Sequence, residues 1–227
     1  VYLREAAGWV QARTDEAAGE ICGREVAGRV AGASAADAAR PCLELAERLA
    51  YGLRKRGRVA EAAPWAHAAL AGKRRWLGPL DADTLSSLAT LADVMEAGSR
   101  LEEAAALGQR ALEGRRVAYG ERHRATLLSQ LKLGVWLQAL GRLDEAEVHT
   151  VGSAEFLAVS LGEGHTAALS SAWHLARLRQ QQHRASEAAA VYGASARAAA
   201  RALGPVHGTT LDMRQGLVDA LAHLGRW

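Results

Sequence analysis

Three histidines, His123, His165 and His207, recur at one place in a repeating pattern, each 42 residues from the next. Imidazoles at fixed spacing raise the question of a metal. Equivalent positions in stacked units stand roughly 10 Å apart, the distance between packed helices. That is too far for one zinc ion, whose histidine ligands sit about 2 Å from the metal. The three are expected as loop or capping histidines. His174 and His183 lack carboxylate or cysteine company, and no metal site is expected there. Cys22 and Cys42 lack Cys-x-x-Cys spacing and read as small buried residues. Two cysteines exclude a disulfide scaffold.

Catalytic patterns are missing from the sequence. Gly72-Lys73-Arg74 has the wrong flanks for a phosphate loop, and neither His-Glu-x-x-His nor Gly-x-Ser-x-Gly occurs. Glu102-Glu103 and Asp144-Glu145 fall where a helix should begin. There a carboxylate complements the helix dipole rather than acting as acid or base. The expectation is a chain that is not an enzyme and needs no cofactor.

Basic residues cluster at Arg54-Lys55-Arg56-Gly57-Arg58, at Lys73-Arg74-Arg75 and at Arg115-Arg116. Read functionally, they are a patch for nucleic acid or another anionic surface. Read structurally, they are solvated helix ends complementing the dipole. The net charge of +3 is low for a nucleic-acid binder and favours the second reading.

The elements that position these residues follow from the period. The 227 residues are 49% hydrophobic but only 5% aromatic, so Ala, Leu and Val must build the core by close helix packing. No apolar run reaches the ~18 residues of a membrane span. The segment Leu77-Gly78-Pro79-Leu80-Asp81-Ala82-Asp83-Thr84-Leu85 returns at Tyr119, Leu161 and Leu203, in steps of 42 residues. Gly57-Arg58, Ser99-Arg100, Gly141-Arg142, His183-Arg184 and Gly225-Arg226 keep the same step, and Glu-Ala follows the first four. Two markers in phase define a repeat.

Each unit reads as a helical hairpin. Its first helix is expected at 84–97, 126–139, 168–181 and 210–223, with Asp83 or Thr84, Thr126, Thr166 and Thr209 as caps. The Gly-Arg pair ends that helix, because glycine accepts the left-handed cap. The second helix runs to the next Leu-Gly or Tyr-Gly. Its small residues, Ala62, Ala104, Ala146 and Ala188, then Ala69, Ala111, Ser153 and Ser195, let neighbours approach closely. Residues 41–55 form the first helix of the unit ending at Gly57. A more divergent hairpin is expected over 1–13 and 15–30, followed by a loose linker at 31–39. The chain opens at Val1 without Met or a signal pattern, as a processed form or an excerpt would. At Trp227 a second helix is due, so either the chain continues or its last helix serves as the cap.

Hairpins with small-residue packing and a Gly-Arg-x-x-Glu-Ala start to the second helix resemble tetratricopeptide repeats. The 42-residue period and the Leu-Gly-x-x-His-x-x-Thr-Leu junction resemble the kinesin-light-chain type. The resemblance covers residues 41–227 well and 1–40 weakly. It implies an all-α fold, a right-handed α-solenoid of stacked hairpins whose first helices line a concave, partner-binding face. Counting from the Gly-Arg marker puts Arg48, Tyr51 and Lys55 on that face, then Thr90, Asp93 and Glu96, then Lys132, Val135 and Gln138. Trp173, His174, Arg177 and Gln181 follow, and finally Gln215, Asp219 and His223. Where the family commonly carries Asn in mid-helix, this chain has Arg48, Thr90, Lys132, His174 and Gly216. Gripping of a peptide backbone by an Asn ladder is therefore not expected. The expected role is a non-enzymatic scaffold or accessory subunit that binds a partner protein through the concave face or the exposed ends. Alternatives are an anionic-surface binder and a sensor arm of a larger signalling protein. Trp65, Trp76 and Trp136 are expected as packing residues, and Trp173 as the groove aromatic.

Overall fold

The computed structural model describes residues 35–225. The hairpin expected over 1–30 lies outside them. Among the described residues there are nine helices and no strand. They are α1 (Ala35–Lys55), α2 (Val59–Leu77), α3 (Ala82–Ala97), α4 (Leu101–Tyr119), α5 (Arg124–Ala139), α6 (Leu143–Leu161), α7 (Thr166–Gln181), α8 (Ala185–Leu203) and α9 (Gly208–His223). None is long and apolar enough to cross a membrane. The chain divides into two compact units, Val1–Gly120 and Glu121–Trp227.

Within unit 1, α1 packs on α2, α2 on α3 and α3 on α4, while α1 also touches α3. Unit 2 repeats the scheme. α5 through α9 pack in chain order, and α7 lies beside both α5 and α9. Contact confined to near neighbours in sequence is the mark of a helical repeat fold.

The alanine of each Glu-Ala marker has no exposed surface: Ala62, Ala104, Ala146 and Ala188 are all at 0%. Two glycines extend the close approach. A methyl group at Gly72 would run into the Leu43 side chain, and one at Gly114 into Leu85. These are the same contact one repeat apart. In unit 2 the corresponding position is Phe156, half-buried against the cluster of Leu127, Leu157 and Ala168.

Junctions are set by backbone chemistry. The second helix of each hairpin is followed by Gly78, Gly120, Gly162 or Gly204, with φ between 87° and 100° and ψ between 147° and 168°. That region is essentially reserved for glycine. At the end of the first helix, Arg58, Arg100, Arg142 and Arg184 donate their N–H to the carbonyls of Leu53, Met95, Leu137 and Arg179. Such closures need the residue before the arginine at positive φ. Gly57 and Gly141 supply it, and Ser99 (59°) and His183 (60°) are forced into it.

Three expectations need correction. The first helices start two residues earlier than placed, at Ala82, Arg124, Thr166 and Gly208. Their N-caps are Asp81, His123, His165 and His207, each accepting a backbone N–H two residues on. Of the threonines expected as caps, Thr84 and Thr126 are instead buried. Second, α1 begins at Ala35, inside the stretch expected as a linker. Its Ala-rich start carries enough helix propensity to run through Pro41. Third, Cys42, expected as a buried residue, is only half-buried.

Candidate functional site

The first helices carry the candidate residues because their second faces are committed to the core. In unit 1, Arg48, Tyr51 and Lys55 are exposed on α1, with the Arg54 and Lys55 cations over the Tyr51 ring at 5.2 and 5.6 Å. Thr90 and Asp93 are half-buried on α3 and Glu96 is exposed. Thr90 Oγ1 donates to Glu47 Oε1 at 2.9 Å, so its hydroxyl serves the helix interface.

In unit 2, Lys132 is exposed on α5. Gln138 is buried, and its amide donates to Gln181 Oε1 at 2.8 Å. On α7, the Trp173 ring is half-buried, with Arg177 5.3 Å from its centroid. The rings of Trp173 and His174 meet edge to face at 4.9 Å. Burial, and secondarily the Arg177 charge, pushes the His174 pKa down from 6.5 to about 4. A neutral imidazole follows at ordinary pH. Its Nδ1 is buried without a hydrogen-bond partner.

Two adjoining hollows open between α7 and α9. The first, of about 310 Å³, is lined by Thr166, Ser170, Trp173, Thr209, Asp212 and Met213. The second, of about 520 Å³, is lined by Arg177, Gln180, Gln181, Asp219, Ala222 and His223. Gln215 donates to Asp219 Oδ1 at 2.9 Å and orients that carboxylate. The structure thus brings Trp173, Arg177, Gln181, Asp219 and His223 onto one surface. Sequence counting missed Thr166, Ser170 and Asp212. They sit near the helix starts, where the count from the Gly-Arg marker was not extended.

The basic clusters are only partly drawn into ion pairs: Arg54 and Lys55 stay together over Tyr51. Lys73 is 2% exposed and ion-paired with Glu47. Arg58 forks onto Glu61, as Arg142 does onto Glu145 and Arg184 onto Glu187, all at 2.6 Å, and Arg100 onto Glu103. The arginine of the repeat marker is therefore a clamp across the first turn of the second helix. Its hydrogen bonds hold the Glu61 and Glu145 carboxyls below the usual carboxylate range. Arg115 is partly buried, and Arg75 lies 5.4 Å from the Trp76 ring. In unit 2, Glu147 accepts from Arg179, from Arg184 at 3.0 Å and from Gln182 at 2.6 Å, tying α6 to the α7–α8 turn. Among the described residues, no three of His, Cys, Asp and Glu converge in a way that could hold a metal ion.

Comparison with known proteins agrees with this architecture. Residues 41–116 match the family model for the tetratricopeptide repeat. No curated protein matches the chain. A Podosopora anserina kinesin light chain structure with nearly identical TPR-like repeats superposes with a TM-score of 0.74 at 24% identity, covering 81% of this chain and 87% of that one. BtubC (BKLC) from P. vanneervenii gives a TM-score of 0.71 at 15% identity over 100% of this chain and 85% of that one. The apo form of RapI gives 0.64 at 14% identity, over 83% and 75%. The fold is that of the kinesin-light-chain-like tetratricopeptide repeats.

Proposed function

We propose that the chain is a non-enzymatic scaffold that binds a segment of a partner protein along the first helices of its hairpins. In unit 2 the binding surface is the groove between α7 and α9. The observation that carries this reading is the pair of adjoining hollows, lined by polar side chains around one half-buried aromatic, Trp173. A large ring with a cation beside it supplies contact area at low entropic cost, as binding hot spots do. Arg48, Tyr51 and Lys55, with Thr90 and Asp93, are the equivalent surface of unit 1, and Lys132 and His174 border that of unit 2. The wide, shallow hollows suit an extended segment better than an enclosed small molecule.

Arg58 and Lys73 are taken up in ion pairs, which leaves less free charge for a phosphate backbone than the sequence displays, and binding to protein is the reading retained. The test is a pull-down from the native source with the double variant Trp173→Ala, Arg177→Glu. Partner recovery should fall at least about tenfold, as expected for loss of a hot spot, with helix content unchanged by circular dichroism. Undiminished recovery would remove the groove from the account.

A further inference from the structure

The two hollows differ in charge, and the difference specifies what enters the first. Of its six lining residues only Asp212 is charged, and none is Lys, Arg or His. Asp212 is exposed on α9 and makes no ion pair among the described residues. Around it stand three hydroxyls, from Thr166, Ser170 and Thr209, each with lone pairs to offer. The remaining walls are the Trp173 ring and the thioether of Met213, which is 1% exposed. The second hollow carries Arg177 and His223 beside Asp219 and two amides, so it selects no single charge.

Acceptors at the rim and an apolar wall call for a donor-only head on an apolar stem. We propose that the first hollow receives the lysine or arginine side chain of an extended partner segment. This inference rests on the groove reading above. The methylene stem lies along Trp173 and Met213. The ammonium or guanidinium donates to the Asp212 carboxylate and the hydroxyls, a charge-assisted arrangement.

The geometry also sets the length of the segment. The hollows are centred about ten residues apart on both α7 and α9, or roughly 15 Å at 1.5 Å per residue. An extended chain rising about 3.3 Å per residue covers that in four to five residues. The bound segment thus has a basic residue at one end and a polar or mixed-charge stretch about four residues away, towards the C-terminal ends of the two helices.

The probe is a phage-displayed random-peptide library selected against the full chain, followed by affinity measurement on the selected peptides. Selected peptides should share one Lys or Arg position and should lose binding to the Trp173→Ala protein. Asp212→Asn should weaken them about tenfold or more, the usual scale for a lost hydrogen bond to a charged group. Asp212→Lys, used in a fresh selection, should replace the basic position with Asp or Glu. Glu155→Gln, an exposed acid on α6, should change nothing. Peptides that need Trp173 and Arg177 but carry no basic position, or that bind Asp212→Asn as well as the parent, overturn the inference and leave the groove standing. Peptides indifferent to Trp173→Ala and Arg177→Glu, or a library yielding no binder, overturn the groove and the inference with it.

Discussion

The Lys73 ammonium on α2 donates to the Glu47 carboxylate on α1, whose second oxygen accepts from Thr90 of α3. Three helices of unit 1 are thereby joined through one acid. Lys73 is 2% exposed and Glu47 20%, so the pair sits where desolvation is costly and partners must match.

Removing one partner strands the other. Lys73→Met should destabilise the protein by roughly 3 kcal/mol, the lower end for breaking a buried pair because Glu47 keeps some solvent. Adding Glu47→Leu should recover most of that loss. Urea unfolding of the two variants decides the matter. A double variant no better than the single would show that the ion pair is not the source of the cost.

Ser99 and His183 occupy the left-handed conformation that Gly57 and Gly141 adopt at the equivalent turns. A side chain there costs roughly 1–2 kcal/mol through contact with its own backbone. Ser99→Gly and His183→Gly should each therefore raise stability by about 1 kcal/mol, with unchanged helix content. Denaturation midpoints check this. Neutral or negative shifts would mean the extra freedom of glycine in the unfolded chain cancels the relief.

His174 gives unit 2 a pH dependence of definite sign. Folding lowers its pKa from 6.5 to about 4, so the unfolded chain takes up a proton in that window and the folded chain does not. Stability is unaffected above pH 6.5, falls as pH drops through the window, and is fully reduced below about 4. The loss approaches ~3 kcal/mol at 1.36 kcal/mol per pKa unit. His174→Gln should flatten the stability profile between about pH 6.5 and 4.5 relative to the parent. Parallel profiles for the two proteins would refute the assignment.

How much of this was legible in the sequence depends on how local the signal is. All four C-terminal ends of the paired first helices agree with the positions read from the Gly-Arg marker, because the arginine that closes the turn recurs every 42 residues even where Ser99 or His183 replaces the glycine. The starts were misplaced by two residues because threonine is a common cap, whereas here Thr84 and Thr126 are drawn inside. Nδ1 of His123, His165 and His207 takes the capping role that Asp81 fills in unit 1. Lys73 illustrates the non-local limit. Three consecutive basic residues wrap most of the way around a helix, so one must face inward, but only the fold reveals that Glu47 waits there, 26 residues away. The groove was half legible. Counting gave Trp173, Arg177, Gln181 and Asp219, while the acid and hydroxyls of the first hollow lay beyond the marker's reach.

The fit of Leu43 over Gly72 and of Leu85 over Gly114, set against Phe156 at the next such position, has an evolutionary consequence. The surface markers are interchangeable from one hairpin to the next, but the interiors are keyed. A hairpin duplicated or transplanted by recombination would carry the right junctions and the wrong key, meeting a ring where it needs a bare backbone. Moving one hairpin into another's place would therefore require repacking inside, even where the surface markers match.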